Sequence, residues 1–331
     1  MNASQQGGGR MLPISLMNPE RFLSLFYEPI EHEVLAKNTI HVHILRIDAG
    51  DFALEPLFTE LSNISMGYVL SRQKMEKVLT DPSRMVEYVN KVKSQFKTPD
   101  SNAGEGGELL LYAFLEAHLG APKILSKMEL KTSTDHYIHG SDGVHLLEVS
   151  DGKYHLIFGE SKMYGDPKDR PGTSANRGIK AAFKSVGAAH ASGFGVDVWL
   201  VESEILKETL DPSQVEALAA ILLPAADGDG AVEKANAFGI FVGYELDVTA
   251  FPFAEKTTSE IETYLRDLAA EAIVNEVDTI KAEINNRGLG GYCFHIYAVP
   301  FLKRNVNGAV LGIEDVRIKL AEHLSGRSAP V

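Results

Sequence analysis

The stretch Gly140–Asp166, GSDGVHLLEVSDGKYHLIFGESKMYGD, decides the fold. Two apolar runs, VHLLEV and YHLIF, flank Asp151-Gly152, and Asp-Gly between apolar runs is the strongest short-range signal for a tight hairpin. Charged residues stand at the far ends of both runs: Asp142 precedes the first, and Glu160 and Lys162 follow the second. Burying charge there is costly unless something compensates it. The sequence therefore predicts an antiparallel pair with a charged constellation at its open end.

With Ser150 opposite Lys153, Asp142 falls opposite Ser161 and beside Glu160 and Lys162. Directly opposed residues share a face, so this register sets Asp142 with Ser161 rather than with Glu160. A one-residue shift puts both carboxylates on one face. Bulges are common beside active sites, and one is expected between residues 140 and 143 or in the 150–153 turn. Tyr154, Leu156, Phe158, Glu160 and Lys162 alternate onto one face, with His155, Ile157, Gly159 and Ser161 on the other. Both faces begin apolar, as in a central strand covered on two sides.

Outward from the hairpin, GEGGELLLYAFLEAHLGAPK (residues 104–123) places Leu110, Leu111, Phe114, Leu115 and His118 at helical spacing before a Gly-Pro stop. Glu105 and Glu108 lie in its first turns. KILSKMELK (123–131) reads as another strand, ANRGIKAAFKSVGAAHA (175–191) as a basic helix, and VDVWLVES (196–203) as a further strand. LDPSQVEALAAILL looks helical and AADGDGAVEKAN looks like a loop. AFGIFVGYEL and GYCFHIYAVPF follow as strands, with a long acidic helical stretch from Thr257 to Asn286 between them. The expected fold is α/β: a restriction-endonuclease-like mixed β-sheet flanked by helices. The earlier chain reads as a strand, TIHVHILRI, then helices near residues 72–79 and 81–96. The Pro, Gly and Ser-rich KTPDSNAGEGG suggests a division into a flexible tail (1–12), an N-terminal α+β region (13–97) and a main domain with a C-terminal elaboration (98–331).

Composition narrows the function. With 331 residues, 44% hydrophobic and 23% charged, the chain has the balance of a soluble globular protein, and its apolar runs are too short for a membrane span. MNASQQGGGR lacks the apolar centre of a signal peptide, so a cytoplasmic location is expected. The single cysteine, Cys293, cannot form an internal disulfide or anchor a cysteine-based zinc site, and reads as a small core residue. A net charge of −13 argues against nucleic-acid binding by the whole surface. Locally the sign inverts: residues 153–184 carry seven basic against three acidic side chains, whereas 255–283 carry eight acidic against three basic. A basic substrate face and an acidic partner face are the functional reading of this asymmetry. Neither a P-loop nor a dinucleotide fingerprint occurs, so any ATP use comes from a partner.

A divalent cation on Asp142 and Glu160 would compensate the charges that end the strands, since hard Mg²⁺ takes one or two carboxylates plus water and phosphate oxygens. Lys162 would then orient or deprotonate a water, or stabilise charge on a phosphate. An early Glu on a helix, then Asp, then Glu-x-Lys on paired strands resembles the PD-(D/E)xK nuclease core. The resemblance places Asp142, Glu160 and Lys162 in the named positions, the backbone of Ser161 as a further metal ligand, and Glu108, or alternatively Glu105, as the helix glutamate. The proline usual before the aspartate is replaced by Ser141.

More narrowly, residues 104–190 resemble HamA, the nuclease subunit of Hachiman antiphage defence systems. This implies a Mg²⁺-dependent deoxyribonuclease (Mn²⁺ as a substitute) acting on DNA and controlled by a superfamily 2 helicase subunit, HamB. Arg177, Lys180 and Lys184 share a helix face suited to phosphate contacts, although a solvated face has the same pattern. Other readings remain open: Asp142 as a simple turn residue, a histidine site from His136, His139 and His145 with Asp135, a non-catalytic nuclease-fold subunit, or a structure-selective repair nuclease.

Overall fold

The computed structural model describes residues 20–48, 50–97, 99, 104–126, 128, 141–150, 152–192, 207–222 and 233–329. The strands, in chain order, are β1 (Ile30–Leu35), β2 (Asn38–Val42), β3 (Ile47–Asp48), β4 (Asp51–Phe52), β5 (Lys123–Ser126), β6 (Gly143–Ser150), β7 (Lys153–Met163), β8 (Glu233–Asp247), β9 (Cys293–Val306) and β10 (Ala309–Leu311). The helices are α1 (Glu20–Leu23), α2 (Leu54–Val69), α3 (Arg72–Thr80), α4 (Met85–Gln95), α5 (Glu105–Ala117), α6 (Ser174–Ser192), α7 (Pro212–Leu222), α8 (Thr258–Val274), α9 (Val277–Asn286) and α10 (Ile313–Ser325). Among the described residues no helix is long and apolar enough to cross a membrane.

The fold is α/β, built on one mixed eight-stranded sheet in the order β1-β2-β9-β8-β7-β6-β5, with β10 paired to β9. Strands β2, β9, β8 and β7 run parallel, while β7-β6-β5 and β1-β2 pair antiparallel. Strand β8 is buried almost throughout its apolar length, because helices cover both faces of the sheet. On one face α5 seats its leucines on glycines: a Cβ at Gly159 would lie 3.1 Å from Leu111, and one at Gly239 would lie 2.9 Å from Leu115. On the other, α6 approaches β8 through Gly178, where a Cβ would lie 2.9 Å from Val242.

Residues before and after the polar stretch near position 100 share this sheet and one core. Strands β1 and β2 extend the sheet beyond β9, and Leu57, Phe58 and Leu61 of α2 belong to the same apolar cluster as Leu110, Phe114 and Phe241. The pairing of β2 with β9 joins segments about 250 residues apart (Ile40 with Ile296), which no local pattern reveals.

Several elements differ from their sequence reading. The acidic stretch 257–286 is two helices: α8 ends at Val274, and α9 restarts after Glu276, whose carboxylate accepts from Asn176 Nδ2 of α6 at 2.6 Å. Part of the expected loop 225–236 is strand, because β8 begins at Glu233 and its exposed first residues pair with Lys153–Leu156, Glu233 adding an ion pair to Lys153 at 2.8 Å. The strand expected over 39–47 ends at Val42, and Ile47 pairs instead in the small β3-β4 sheet. Positions 196–203, the tail 1–12, and most of 127–140 lie outside the described residues.

Helix α8 starts with a capping box: Thr257 Oγ1 accepts from the Glu260 amide at 3.3 Å, and the Glu260 carboxylate accepts from the Thr257 amide at 2.9 Å. Thr257→Ala is expected to cost about 1 kcal/mol in chemical denaturation. An unchanged midpoint would show that solvent caps this helix equally well.

Candidate active site

The hairpin positions the charged constellation. Along most of it the register pairs Val144 with Phe158 and Glu148 with Tyr154, then shifts by one between Glu148 and Ser150, just ahead of the turn. Beyond Val144 the pairing departs from this register, because the Asp142 amide bonds to the Gly159 carbonyl rather than to that of Glu160. Asp142 nonetheless lies near enough to Glu160 for its negative charge to act on that carboxyl. The end is then stitched closed: the Asp142 amide donates to Gly159 O at 2.9 Å, and the Ser161 amide donates to Asp142 Oδ2 at 2.9 Å.

Ser141, which stands where the nuclease pattern has proline, has a structural use. Its buried hydroxyl donates to the Gly143 carbonyl at 2.7 Å and accepts from the Gly159 amide at 3.1 Å. One side chain therefore bridges both strands immediately before Asp142. Gly159 is closely packed: a Cβ would press on Leu111 at 3.1 Å and touch the Gly143 carbonyl at 3.5 Å.

Glu160 is 6% exposed, and Lys162 pairs with it from two residues along the same face. Burial, and then the negative charge of Asp142, push the Glu160 carboxyl up to about 7, against the opposing pull of Lys162 and a hydrogen bond from Ser185 of α6. Two carboxylates and one ammonium leave the cluster short of positive charge. Oxygen donors in that condition fit a hard divalent cation better than a softer metal.

The helix glutamates separate by geometry. Glu108 lines a cleft with Tyr68, Asp142, Gly143 and Gly159, and accepts from Tyr68 Oη at 3.2 Å. Glu105 is buried elsewhere and accepts from the Lys97 amide at 2.8 Å. Burial, followed by the charges of Glu108 and Asp142, raises the Tyr68 hydroxyl well above its ordinary value, so Tyr68 stays a proton donor to the cleft. Tyr68 and Ser185 carry no recognisable motif, and the sequence reading missed both. Tyr68 arrives from α2, whose packing on α5 is a long-range contact.

The basic helix divides. Arg177 donates to Gly165 O at 3.0 Å and stacks over the Tyr164 ring, bracing the turn between β7 and α6, while Lys180 and Lys184 are exposed. Asp166 supports the same turn by accepting from the Ser174 amide at 2.7 Å. Ser161 has its hydroxyl toward α5, where a Cβ on Gly107 would lie 3.4 Å away. Of the histidine alternative, His145 is buried and its Nδ1 donates to Ala121 O at 2.8 Å, whereas residues 135, 136 and 139 lie outside the described residues.

No curated protein matches this chain. A family model described as HamA matches residues 20–308, a span that takes in β1 through β9 and every residue of the constellation. With most of its 331 residues matched, the chain belongs to the HamA family, a part of the Hachiman system.

Proposed function

We propose that this protein is a metal-dependent deoxyribonuclease, the effector of its Hachiman system, and that a helicase partner controls it. The observation that carries the reading is the buried Glu160 beside Asp142, with Lys162 on the same strand, in a chain of the HamA family. Asp142, Glu160 and the backbone of Ser161 would hold Mg²⁺, with Mn²⁺ able to substitute. When bound, the ion supplies Lewis-acid polarisation of the scissile phosphate and lowers the pKa of a water molecule.

The remaining roles belong to the chain. Lys162, oriented by Glu160, positions the attacking water or balances charge on the phosphate. Glu108 and its Tyr68 partner hold the cleft side of Asp142 in place. Lys180 and Lys184 supply salt-dependent, sequence-independent phosphate contacts, and Arg177 contributes by bracing the turn. The acidic outer surfaces of α8 and α9 offer a docking face for a helicase.

The test is degradation of linear and circular plasmid DNA in Mg²⁺, Mn²⁺ or EDTA, with and without the helicase, by the unmodified chain and by Lys162→Ala. Cleavage is expected only with metal, and is expected to fall by about 10²–10³-fold in the variant. Glu108→Ala should lower cleavage by roughly 10–100-fold with little change in stability. Glu105→Ala should instead cost about 1–3 kcal/mol of stability, since it removes a buried side chain together with its bond to the Lys97 amide. If the chain binds DNA but neither it nor the ATP-activated complex cuts, a non-catalytic subunit is the better account.

A further inference from the structure

At the other end of β7 from Glu160, the same sheet gathers a second set of metal-type side chains. His155 of β7 and Cys293 and His295 of β9 offer ligand atoms that all lie within 4.8 Å of one another. Cys293 Sγ is 3.7 Å from His295 Nε2. Tetrahedral bonds of about 2.3 Å to sulfur and about 2.0 Å to nitrogen put neighbouring ligands roughly 3.5 Å apart, so little movement is required.

The topology explains how two strands that are not neighbours can share a ligand set. Strand β8 lies between them, and the register aligns its Ala235 with His155, its Ala237 with Cys293 and its Gly239 with His295. Ala235 and Ala237 are small, so little side chain stands between the two outer strands there, while Leu115 of α5 covers Gly239. The sequence reading of Cys293 as a core residue is corrected here: it is half-buried, and its thiol donates to Lys37 O at 3.0 Å.

A second, independent observation points to a ligand. The His155 Nδ1 atom is buried and has no hydrogen-bond partner among the described residues, an arrangement that costs free energy unless something occupies the nitrogen. Burial and then the neighbouring histidines lower His295 to about 4, and burial lowers His155, so both rings are neutral at physiological pH. A neighbouring set, Glu31, His41 and His118, is also compact. There, however, Glu31 is exposed and already pairs with His41 Nδ1 at 3.0 Å.

We propose that His155, Cys293 and His295 form a site for Zn²⁺ with one thiolate and two imidazole ligands, the fourth position being left to water. Binding forms a zinc–sulfur bond as the thiol proton passes to solvent, so zinc uptake releases one proton from Cys293. Soft sulfur and borderline nitrogen donors select zinc-class ions, whereas the oxygen donors at the opposite end of β7 suit Mg²⁺. The ion ties β7 to β9 across β8, steadying the strand that carries Glu160 and Lys162. This site stands independently of the nuclease reading.

Co²⁺ serves as the optical stand-in for zinc. The full-length metal-free chain, titrated with Co²⁺, is expected to take up one ion with a sulfur-to-cobalt charge-transfer band that Zn²⁺ abolishes by displacement. Cys293→Ser should lose the band while keeping the far-ultraviolet circular dichroism of the parent. His295→Ala should weaken binding by more than the roughly 10–100-fold that loss of a supporting outer partner costs.

A further measurement needs no variant: the chain has one thiol, and Zn²⁺ should slow its reaction with a disulfide reagent at least about tenfold. Absence of the band, or an unchanged thiol rate under saturating Zn²⁺, overturns the proposal. So does binding that survives Cys293→Ser but disappears in His41→Ala with His118→Ala, which would assign the ion to the neighbouring set.

Discussion

Glu160→Gln is expected to lower metal-dependent DNA cleavage by about 10³-fold or more and yet to make the metal-free protein harder to unfold at pH 8. Both effects have one origin. Glu160 is 6% exposed and faces the charge of Asp142, so its carboxyl is raised from 4.5 to about 7 in the folded chain. Between those values the folded state binds more protons than the unfolded state, and stability of the metal-free protein therefore falls as pH rises from about 4.5 to about 7.

The loss is on the order of a few kcal/mol. Glutamine has the same shape, keeps an oxygen toward Lys162 and carries no charge, so this part of the pH dependence should disappear. Mg²⁺ should raise the unfolding temperature of the parent at pH 8 and leave that of the variant nearly unchanged. Unfolding in urea across pH 5–8, with plasmid cleavage in parallel, checks the set. A variant less stable than its parent at pH 8 would mean that the Lys162 pair outweighs the repulsion from Asp142.

The second large effect lies away from the constellation. Lys123→Met is expected to destabilise the fold by about 3–5 kcal/mol, the cost of leaving a buried charge without its partner. Lys123 is 1% exposed, and its ammonium donates to Gly67 O at 3.1 Å and Leu70 O at 3.3 Å. It also lies 3.6 Å from Glu208, which is fully buried and bonded to Arg72 at 2.5 Å, while Arg72 reaches Glu116 at 3.4 Å. Two acids and two bases balance. Removing the lysine leaves excess negative charge in the interior and takes a donor from the carbonyls of Gly67, Tyr68 and Leu70. The urea midpoint measures the loss, and adding Glu208→Gln should restore part of it, because the pair is coupled. Full additivity would show that the two groups do not interact.

The helical spacing of α5, the basic helix α6 and the hairpin 143–163 were all legible because each depends on residues close together in the chain. The hairpin also announced that Asp142 and Glu160 meet at one end. Its register was decided by the one-residue shift between Glu148 and Ser150, which depends on how β6 and β7 lie in the finished sheet. The different surroundings of Glu105 and Glu108 were likewise invisible in the sequence, because Tyr68 reaches Glu108 from α2 and the Lys97 amide faces Glu105.

Lys123 shows the limit from the other side. In KILSKMELK it looks like a polar residue at the start of a strand, and its burial is matched by three carbonyls and Glu208, all distant in sequence. The same holds for His155, Cys293 and His295, which belong to no motif. By itself the sequence determined the α/β class, the central hairpin and the residue types at its charged end, because side-chain periodicity and turn chemistry act over a few residues. Only the tertiary structure decided which distant groups share a face, since β2 with β9, and β7 with β9 across β8, are brought together by burial of one common core.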